Sequence, residues 1–292
     1  MLWIALLALQ APPATDIYVA ELRVADRRVS VGAPVNVTAR PGYDNQPFFL
    51  PNGRSFLYTS VREDAQADIY RYDLDRKISV RMTATPESEY SPTPLPEGNG
   101  FSVVRVEADS TQRLWAFNAD GSRPRLVLDS IKPVGYHAWA NAHMLVLFVL
   151  GSPATLQLAD ARSPGAPGEV LARDIGRSLQ RIPGREAVSF VQRDSGAGAS
   201  LQELDVRTQR VTQLVHAPPG GGGGGGADFF AWTPQGIVLA ASGTKLYQWD
   251  PQRGGDWEPV ADFAPAGLSN VTRLAVSPKG DRLAIVAVPA QP

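Results

Sequence analysis

The 292-residue sequence contains no cysteine, only three histidines and no long apolar run. Without cysteine the chain has no disulfide scaffold, no thiolate zinc site and no cysteine nucleophile. No stretch approaches the roughly 18 uninterrupted apolar residues that a membrane-spanning helix needs. An excess of one charge is lacking too, because 28 Lys and Arg face 29 Asp and Glu and leave a net charge of −1. We therefore expect neither a nucleic-acid partner nor a membrane span.

Turn-forming residues, in contrast, are plentiful. The chain has 27 glycines and 25 prolines, too few for a disordered chain but typical of an all-β protein with many turns. Its length suits one large β domain or two ordinary ones.

The first residues resemble a secretory leader. An apolar run, Leu2 to Leu9, is followed by small residues and prolines up to Ala14, which is the order of a short hydrophobic segment and a cleavage zone. No Lys or Arg precedes the run, so a buried first strand is the alternative. The prediction is a signal peptide at residues 1–14, a folded domain at 15–292, and a periplasmic or secreted location.

A short pattern recurs six times along the chain. Each copy is a turn, mostly Pro-x-Gly, followed at once by an apolar strand; the copies begin at Pro51, Pro96, Ala140, Pro183, Pro234 and Pro278. Successive copies lie about 44 residues apart, except for one longer interval that contains the glycine run Gly220 to Gly226. A Pro-Pro pair precedes this run and a strand pattern follows it, so we predict a flexible loop there and not a phosphate-binding loop.

A second pattern recurs with the same spacing as the first. An apolar–aromatic strand such as Asp68 to Asp73 follows each of the first five turns, and a further copy at Asp16 to Val19 precedes the first turn. A weaker strand follows the first four of the strands that come after a turn. Four short antiparallel strands per repeat form the blade of a β-propeller. The prediction is an all-β, six-bladed β-propeller of four-stranded antiparallel blades, at about 43–84, 85–129, 130–172, 173–215, 216–263 and 264–290. The last blade has only two strands of its own, so strands within 15–38, near Asp16 to Leu22 and Val31 to Val37, must close it.

Two stretches carry a resemblance to a known family. The run from Tyr43 through Pro51-Asn52-Gly53-Arg54 to Asp68-Ile69-Tyr70, and the segment Ser277 to Leu283, resemble the WD40-like (PD40) repeat of the TolB family. The resemblance implies a six-bladed propeller of the periplasm or cell envelope. It does not fix a function, because the same repeat also occurs in the propeller halves of prolyl-oligopeptidase-like enzymes.

Catalytic motifs are sparse in the chain. The G-x-S-x-G nucleophile elbow and H-E-x-x-H are absent, and of the histidines only His137 falls near a strand expected to line the channel. An axial calcium site would need oxygen ligands from the innermost strands. Alignment of those strands supplies only Asp44 and Glu89, with Arg273 opposing a cation. We predict no catalytic residues, no metal and no cofactor.

The same alignment predicts a polar channel mouth of mixed charge, formed by Asp44, Gln46, Glu89, Ser91, Arg177, Asp228 and Arg273. Such a mouth suits a protein or peptide segment, because binding is usually carried by loops on a rigid scaffold. The prediction is a non-catalytic, monomeric interaction module of the cell envelope. The alternatives are a solvated channel without a ligand and a small-molecule-binding protein or metal-dependent hydrolase, similar to propeller lactonases, that uses the same axial site.

Overall fold

The computed structural model describes residues 13–62, 64–194, 198–220 and 228–289. These residues form an all-β propeller of six antiparallel blades, which confirms the predicted fold class. In the described ranges the only helix is a single 3-10 turn, Ala264–Ala266, and no helix there is long and apolar enough to cross a membrane. The predicted leader falls almost wholly outside the described residues, as does most of the predicted glycine loop.

Each of the first five blades is built from consecutive strands in an up-and-down order. Blade 1 contains β4 to β7: Tyr43–Phe49, Ser55–Val61, Ala67–Asp73 and Ile78–Arg81. Blade 2 contains β8 to β11: Ser88–Pro94, Gly100–Val106, Gln112–Asn118 and Arg125–Leu126. Blade 3 contains β12 to β15: Val134–Trp139, Met144–Val149, Thr155–Asp160 and Glu169–Arg173.

Blades 4 and 5 repeat this order. Blade 4 contains β16 to β19: Ile175–Arg181, Ala187–Asp194, Gly198–Asp205 and Val211–His216. Blade 5 contains β20 to β23: Phe230–Trp232, Val238–Ser242, Lys245–Trp249 and Glu258–Asp262. The first strand of each blade lies next to the axis, and the fourth lies at the rim.

Blade 6 joins the two ends of the described chain. Its inner strands are β24 and β25, Leu268–Val276 and Arg282–Pro289, and its outer strands are β1 to β3, Asp16–Ala25, Arg28–Val31 and Val35–Asn36. Strand β1 pairs with β25 from Asp16 opposite Ala287 to Glu21 opposite Arg282. The predicted closure by N-terminal strands is therefore confirmed.

The outermost strand of blade 6 differs from the expected single strand near Val31 to Val37. It is divided into β2 and β3, which pair with different parts of β1. Between them lie Gly32, Ala33 and Pro34, and proline has no backbone N–H to donate to a ladder. The sequence expectation was therefore wrong in detail at this edge.

The core lies between the blades, with one buried apolar cluster at each of the six blade boundaries. At the boundary between blades 1 and 6, Phe56 and Tyr58 pack with Ile17 and Val286. Because strand side chains alternate between two faces, a blade that is covered on both faces reads as a continuous apolar run, as in Met144–Val149.

Candidate functional site: the axial channel

The innermost strands do not keep a strict two-residue alternation where they pass the axis. Against its neighbour β5, strand β4 carries one extra residue between Asn45 and Phe48, and β8 carries one between Tyr90 and Thr93. Gln46 and Ser91 occupy these bulges in the left-handed region, with φ of 59° and 54°. Strands β12, β16 and β24 are also bulged. A bulge re-aims the side chains that follow it.

Every blade contributes to the lining of an axial cavity, and the lining includes Gln46, Ser91, Tyr136, Arg177, Phe229 and Arg273. Strand β20 of blade 5 pairs with its neighbour without a bulge. Four of the seven predicted site residues line this cavity. Tyr136 and Phe229 were not among them, because the prediction assumed strict alternation along the innermost strands and selected polar side chains.

Arg273 bridges the channel. Its Nη2 donates a hydrogen bond to the hydroxyl of Tyr136 at 2.9 Å. The guanidinium also lies over the ring of Phe229, 4.2 Å from the centroid, and 5.0 Å from the Tyr136 centroid. Blades 3 and 6 are three positions apart in a ring of six, so this contact joins opposite sides of the axis.

Two cavities share Gln46, Tyr136 and Arg177 in their walls. The larger, about 880 Å³, opens where the innermost strands begin and is bounded by blades 1 to 4. We call it the axial mouth; its lining includes Tyr43, Ser88, Tyr90, Gln112, Tyr136 and Arg177. The smaller, about 70 Å³, lies toward the ends of the same strands. We call it the axial pocket.

Asp44 and Glu89 do not belong to the mouth, and this part of the sequence prediction is wrong. Both side chains are fully buried. Ser60 Oγ donates to Asp44 at 2.6 Å, and Arg105 Nε donates to Glu89 at 3.1 Å. Because the bulge follows immediately, Asp44 and Gln46 no longer share a face, and the carboxylates turn into the blades.

Asp228 is also buried, where Arg193 Nη2 donates to it at 2.5 Å. The mouth carries mixed charge, but from other residues than those predicted: Asp174, Arg177 and Arg193 line it and are exposed. Asp44, Glu89 and Asp228 are withdrawn from the surface or paired with arginine. In the axial pocket the charged side chains are Arg177 and Arg273, so this part of the channel carries net positive charge.

His137 is the one histidine in the axial wall among the described residues. Its Nε2 lies within hydrogen-bond distance of Ser102 Oγ, at 2.7 Å, and Ser102 Oγ also accepts a hydrogen bond from Trp139 Nε1 at 2.9 Å. Burial lowers the pKa of His137 to about 3, so the imidazole is neutral at physiological pH. Within the described chain its Nδ1 has no hydrogen-bond partner.

A metal centre has no obvious donor set here. In the parts of the chain that the structure describes, three or more His, Asp or Glu side chains do not gather in any one place in a way that could hold an ion. Asp44 and Glu89 are each held within their own blade, and Asp228 is paired with Arg193 of the neighbouring blade 4.

Comparison with solved structures identifies similar folds. A TolB from Agrobacterium tumefaciens, described as putative, is 16% identical with a TM-score of 0.68 and covers 94% of this chain and 98% of that chain. TolB from Acinetobacter baumannii is 13% identical with a TM-score of 0.59, covering 94% and 65%. Oligogalacturonate lyase in complex with manganese is 12% identical with a TM-score of 0.53, covering 96% and 99%.

No family model and no curated protein match the sequence. At these identities the likenesses show the fold alone, which is that of TolB-like six-bladed propellers, and the PD40 repeat assignment stays a prediction. The structural relatives include a lyase as well as TolB proteins, so function has to be argued from the axial channel of this chain.

Proposed function

We propose that the chain is a non-catalytic interaction module of the cell envelope, which binds a protein or peptide segment at the axial mouth. The observation that carries the proposal is a mouth of about 880 Å³ whose wall contains three tyrosines and two exposed arginines, Arg177 and Arg193. Tyrosine and arginine are the residues most enriched where protein partners bind tightly. The envelope location rests on the predicted leader, and we expect the closed ring to act as a monomer.

The shape of the channel favours an inserted segment. Below the mouth, the contact between Arg273 and Tyr136 crosses the axis. A chain segment that enters from the mouth therefore meets a barrier and does not thread the ring. Small-molecule sites of this volume are lined mainly by apolar side chains, whereas polar side chains such as Ser88 and Gln112 alternate with apolar ones in this wall.

The one serine–histidine pair at the axis supports the non-catalytic assignment. Ser102 is fully buried, and its hydroxyl already contacts Trp139 and His137. A nucleophile must reach the substrate and be oriented by a base that is itself held by a third group. Ser102 lacks the access, and the Nδ1 of His137 has no orienting partner among the described residues.

A photo-crosslinking amino acid at position 112 tests the proposal in envelope extract. Gln112 lines the mouth and is half-buried. The matched control carries the same amino acid at Arg76, an exposed position in the turn between β6 and β7. We expect one defined protein adduct at position 112 that is absent at position 76.

Arg177→Glu reverses one of the exposed charges of the mouth and is combined with the crosslinker at 112. We expect this variant to lose the adduct while it keeps the native melting temperature. Equal adducts at positions 112 and 76, or an adduct that Arg177→Glu leaves unchanged, would contradict binding at the mouth.

A further inference from the structure

Two residues that line the axial pocket carry polar atoms that no described residue satisfies. These atoms are Ser91 Oγ and His137 Nδ1, and His137 is only 6% exposed. Both atoms are covered by protein in this structure, so a ligand reaches them only after a small movement of the side chains. Because a buried polar group without a partner is unfavourable, a ligand that bonds to both atoms would stabilise the pocket.

The charge of the pocket wall defines what completes it. Arg177 and Arg273 both line the pocket, and no carboxylate of the described residues does so. Guanidinium groups stay protonated and bind carboxylates through paired N–H donors. The only side-chain hydrogen bond that Arg273 makes with described residues is its bond to Tyr136, so most of its donors remain available.

The size of the pocket sets an upper limit on the ligand. One water needs about 10–15 Å³ of such space, and the pocket offers about 70 Å³. This admits a single carboxylate group and excludes a bulky side chain. The walls that the pocket shares with the mouth, at Gln46, Tyr136 and Arg177, place that group at the inner end of a segment lying in the mouth.

We propose that the axial pocket is a carboxylate subsite, in which Arg177, Arg273, Ser91 and His137 receive one carboxylate of the bound peptide segment. This inference rests on the proposed function. The shared chemistry is a carboxylate, which a segment carries either at its C-terminus or on an Asp or Glu side chain.

The hydrogen-bond chain behind His137 provides a readout. Trp139 donates to Ser102 Oγ, so the Ser102 proton goes either to His137 Nε2 at 2.7 Å or to the carbonyl of Thr93 at 3.2 Å. In the first case His137 carries its proton on Nδ1 and is a donor; in the second, Nδ1 is an acceptor. A carboxylate in the pocket selects the Nδ1–H tautomer.

The test is ¹⁵N NMR of the full chain labelled at histidine, in a His143→Gln/His216→Gln background that leaves His137 as the single signal. Because burial keeps the pKa of His137 at about 3, the ring shifts at neutral pH report the tautomer and not protonation. Sodium acetate is the first probe, with acetamide as its neutral isostere and sodium chloride at equal ionic strength. We expect a saturable shift toward the Nδ1–H tautomer with acetate alone.

Variants then assign the response to the pocket. Arg273→Met and Ser91→Ala are expected to weaken the acetate response at least tenfold, whereas Arg76→Met at the rim leaves it unchanged. Tyr136→Phe removes only the hydroxyl group to which Arg273 donates. We expect this variant to keep the acetate response as long as the propeller is folded. No acetate response in the native chain, or the same response to chloride or in Arg273→Met, would overturn the subsite.

Peptides distinguish the two carboxylate sources. The probes are a neutral hexapeptide with a free C-terminal carboxylate, its amidated form, and an amidated form with one internal glutamate. A response to the first or the third, with none to the neutral amide, supports the proposal and names the source. A response to trigalacturonate with none to any peptide would overturn it in favour of an acidic sugar.

The crosslinking experiment separates the two proposals. If the adduct at position 112 persists in Arg273→Met and acetate has no effect, the subsite is wrong and binding at the mouth stands. If no adduct forms at position 112 while acetate and a peptide carboxylate both act on His137, the subsite stands and the envelope partner is wrong.

Discussion

Asp44 is a buried carboxylate whose ionisation destabilises the folded state. Burial raises its pKa, opposed by the hydrogen bond from Ser60 and by Arg40. A carboxyl with a higher pKa in the folded protein than in the unfolded chain stabilises the fold when protonated. That contribution is complete below the unfolded pKa of about 4 and is lost as the pH rises through the folded value.

Asp44→Asn should remove this pH dependence. The amide side chain of this variant keeps a contact for Ser60, and Arg40 still donates to the carbonyls of Pro41 and Val61. We expect the free energy of unfolding to fall less between pH 4 and 7 in the variant than in the native chain, measured by urea titration at each pH. At pH 7 the melting temperature should be equal or higher, and a fall beyond about 4 °C, roughly 1 kcal/mol or more, would contradict this.

Arg105 has the opposite role, because two carboxylates depend on it. It is buried, contacts Glu89 and Glu87 at 3.1 and 3.2 Å, and lies over the ring of Trp115. Arg105→Leu leaves the buried carboxyl of Glu89 without its cationic partner, so we expect a loss of about 3–5 kcal/mol in the free energy of unfolding. The control is Arg162→Leu, which breaks the exposed pair with Asp160 and should change stability little. Equal losses in the two variants would contradict this reasoning.

At the scale of the strands, the same kind of hydrogen bond occurs at two blade boundaries. Trp139 of blade 3 donates to Ser102 of blade 2 at 2.9 Å, and Trp232 of blade 5 donates to Ser189 of blade 4 at 2.8 Å. In each case an inner-strand indole reaches the second strand of the preceding blade. Both tryptophans lie just before a repeated turn, the copies that begin at Ala140 and Pro234, and this position brings them to the boundary.

Trp232→Phe tests the contribution of this contact. The phenyl ring keeps most of the apolar packing and loses only the N–H, while Ser189 retains its bond to the carbonyl of Gln180. We expect a loss of about 1 kcal/mol, seen as a fall of roughly 2–4 °C in melting temperature. In a Ser189→Ala background the same substitution should lower the free energy of unfolding by less. An equal decrease in both backgrounds would mean that packing alone, and not the hydrogen bond, is responsible.

Element order was predictable from the sequence, but the register of the inner strands was not. The Pro-x-Gly turns and apolar runs repeat because each blade buries both faces, so their spacing revealed six units. The β-bulges of the innermost strands are not marked by a comparable pattern in the sequence. Gln46 and Ser91 take a positive φ without being glycine, and an alignment that assumes strict alternation therefore placed Asp44 and Glu89 on the channel face.

At the scale of the whole molecule, the ring is held by the pairing of β1 with β25. The N-terminal segment also reaches both neighbours of blade 6. Thr15 pairs with Tyr43 of blade 1, and Arg27 forms two hydrogen bonds with Asp250 of blade 5, at 2.5 and 2.6 Å. Residues 15–38 therefore belong to blade 6 and contact both of its neighbouring blades.

Deletion of residues 15–38 should unfold the ring as a whole, because β24 and β25 alone form a two-stranded sheet with an exposed edge and an uncovered apolar face. We expect loss of the cooperative transition in urea, followed by circular dichroism and tryptophan fluorescence. The matched control is a circular permutant that keeps every strand and moves the chain ends to another blade. It joins residue 289 to residue 15 through a short linker and begins the chain at Ser110, in the exposed turn between β9 and β10.

This permutant transfers closure from blade 6 to blade 2, where strands from both new ends would meet. If closure by pairing is what matters, the permutant unfolds cooperatively with a slope against urea close to the native one, since that slope follows the surface exposed on unfolding. The deletion variant, in contrast, is expected to show no cooperative unfolding. A deletion variant that still unfolds in one transition with the native slope would show that five blades and a hairpin suffice, and that the N-terminal strands serve something other than ring closure.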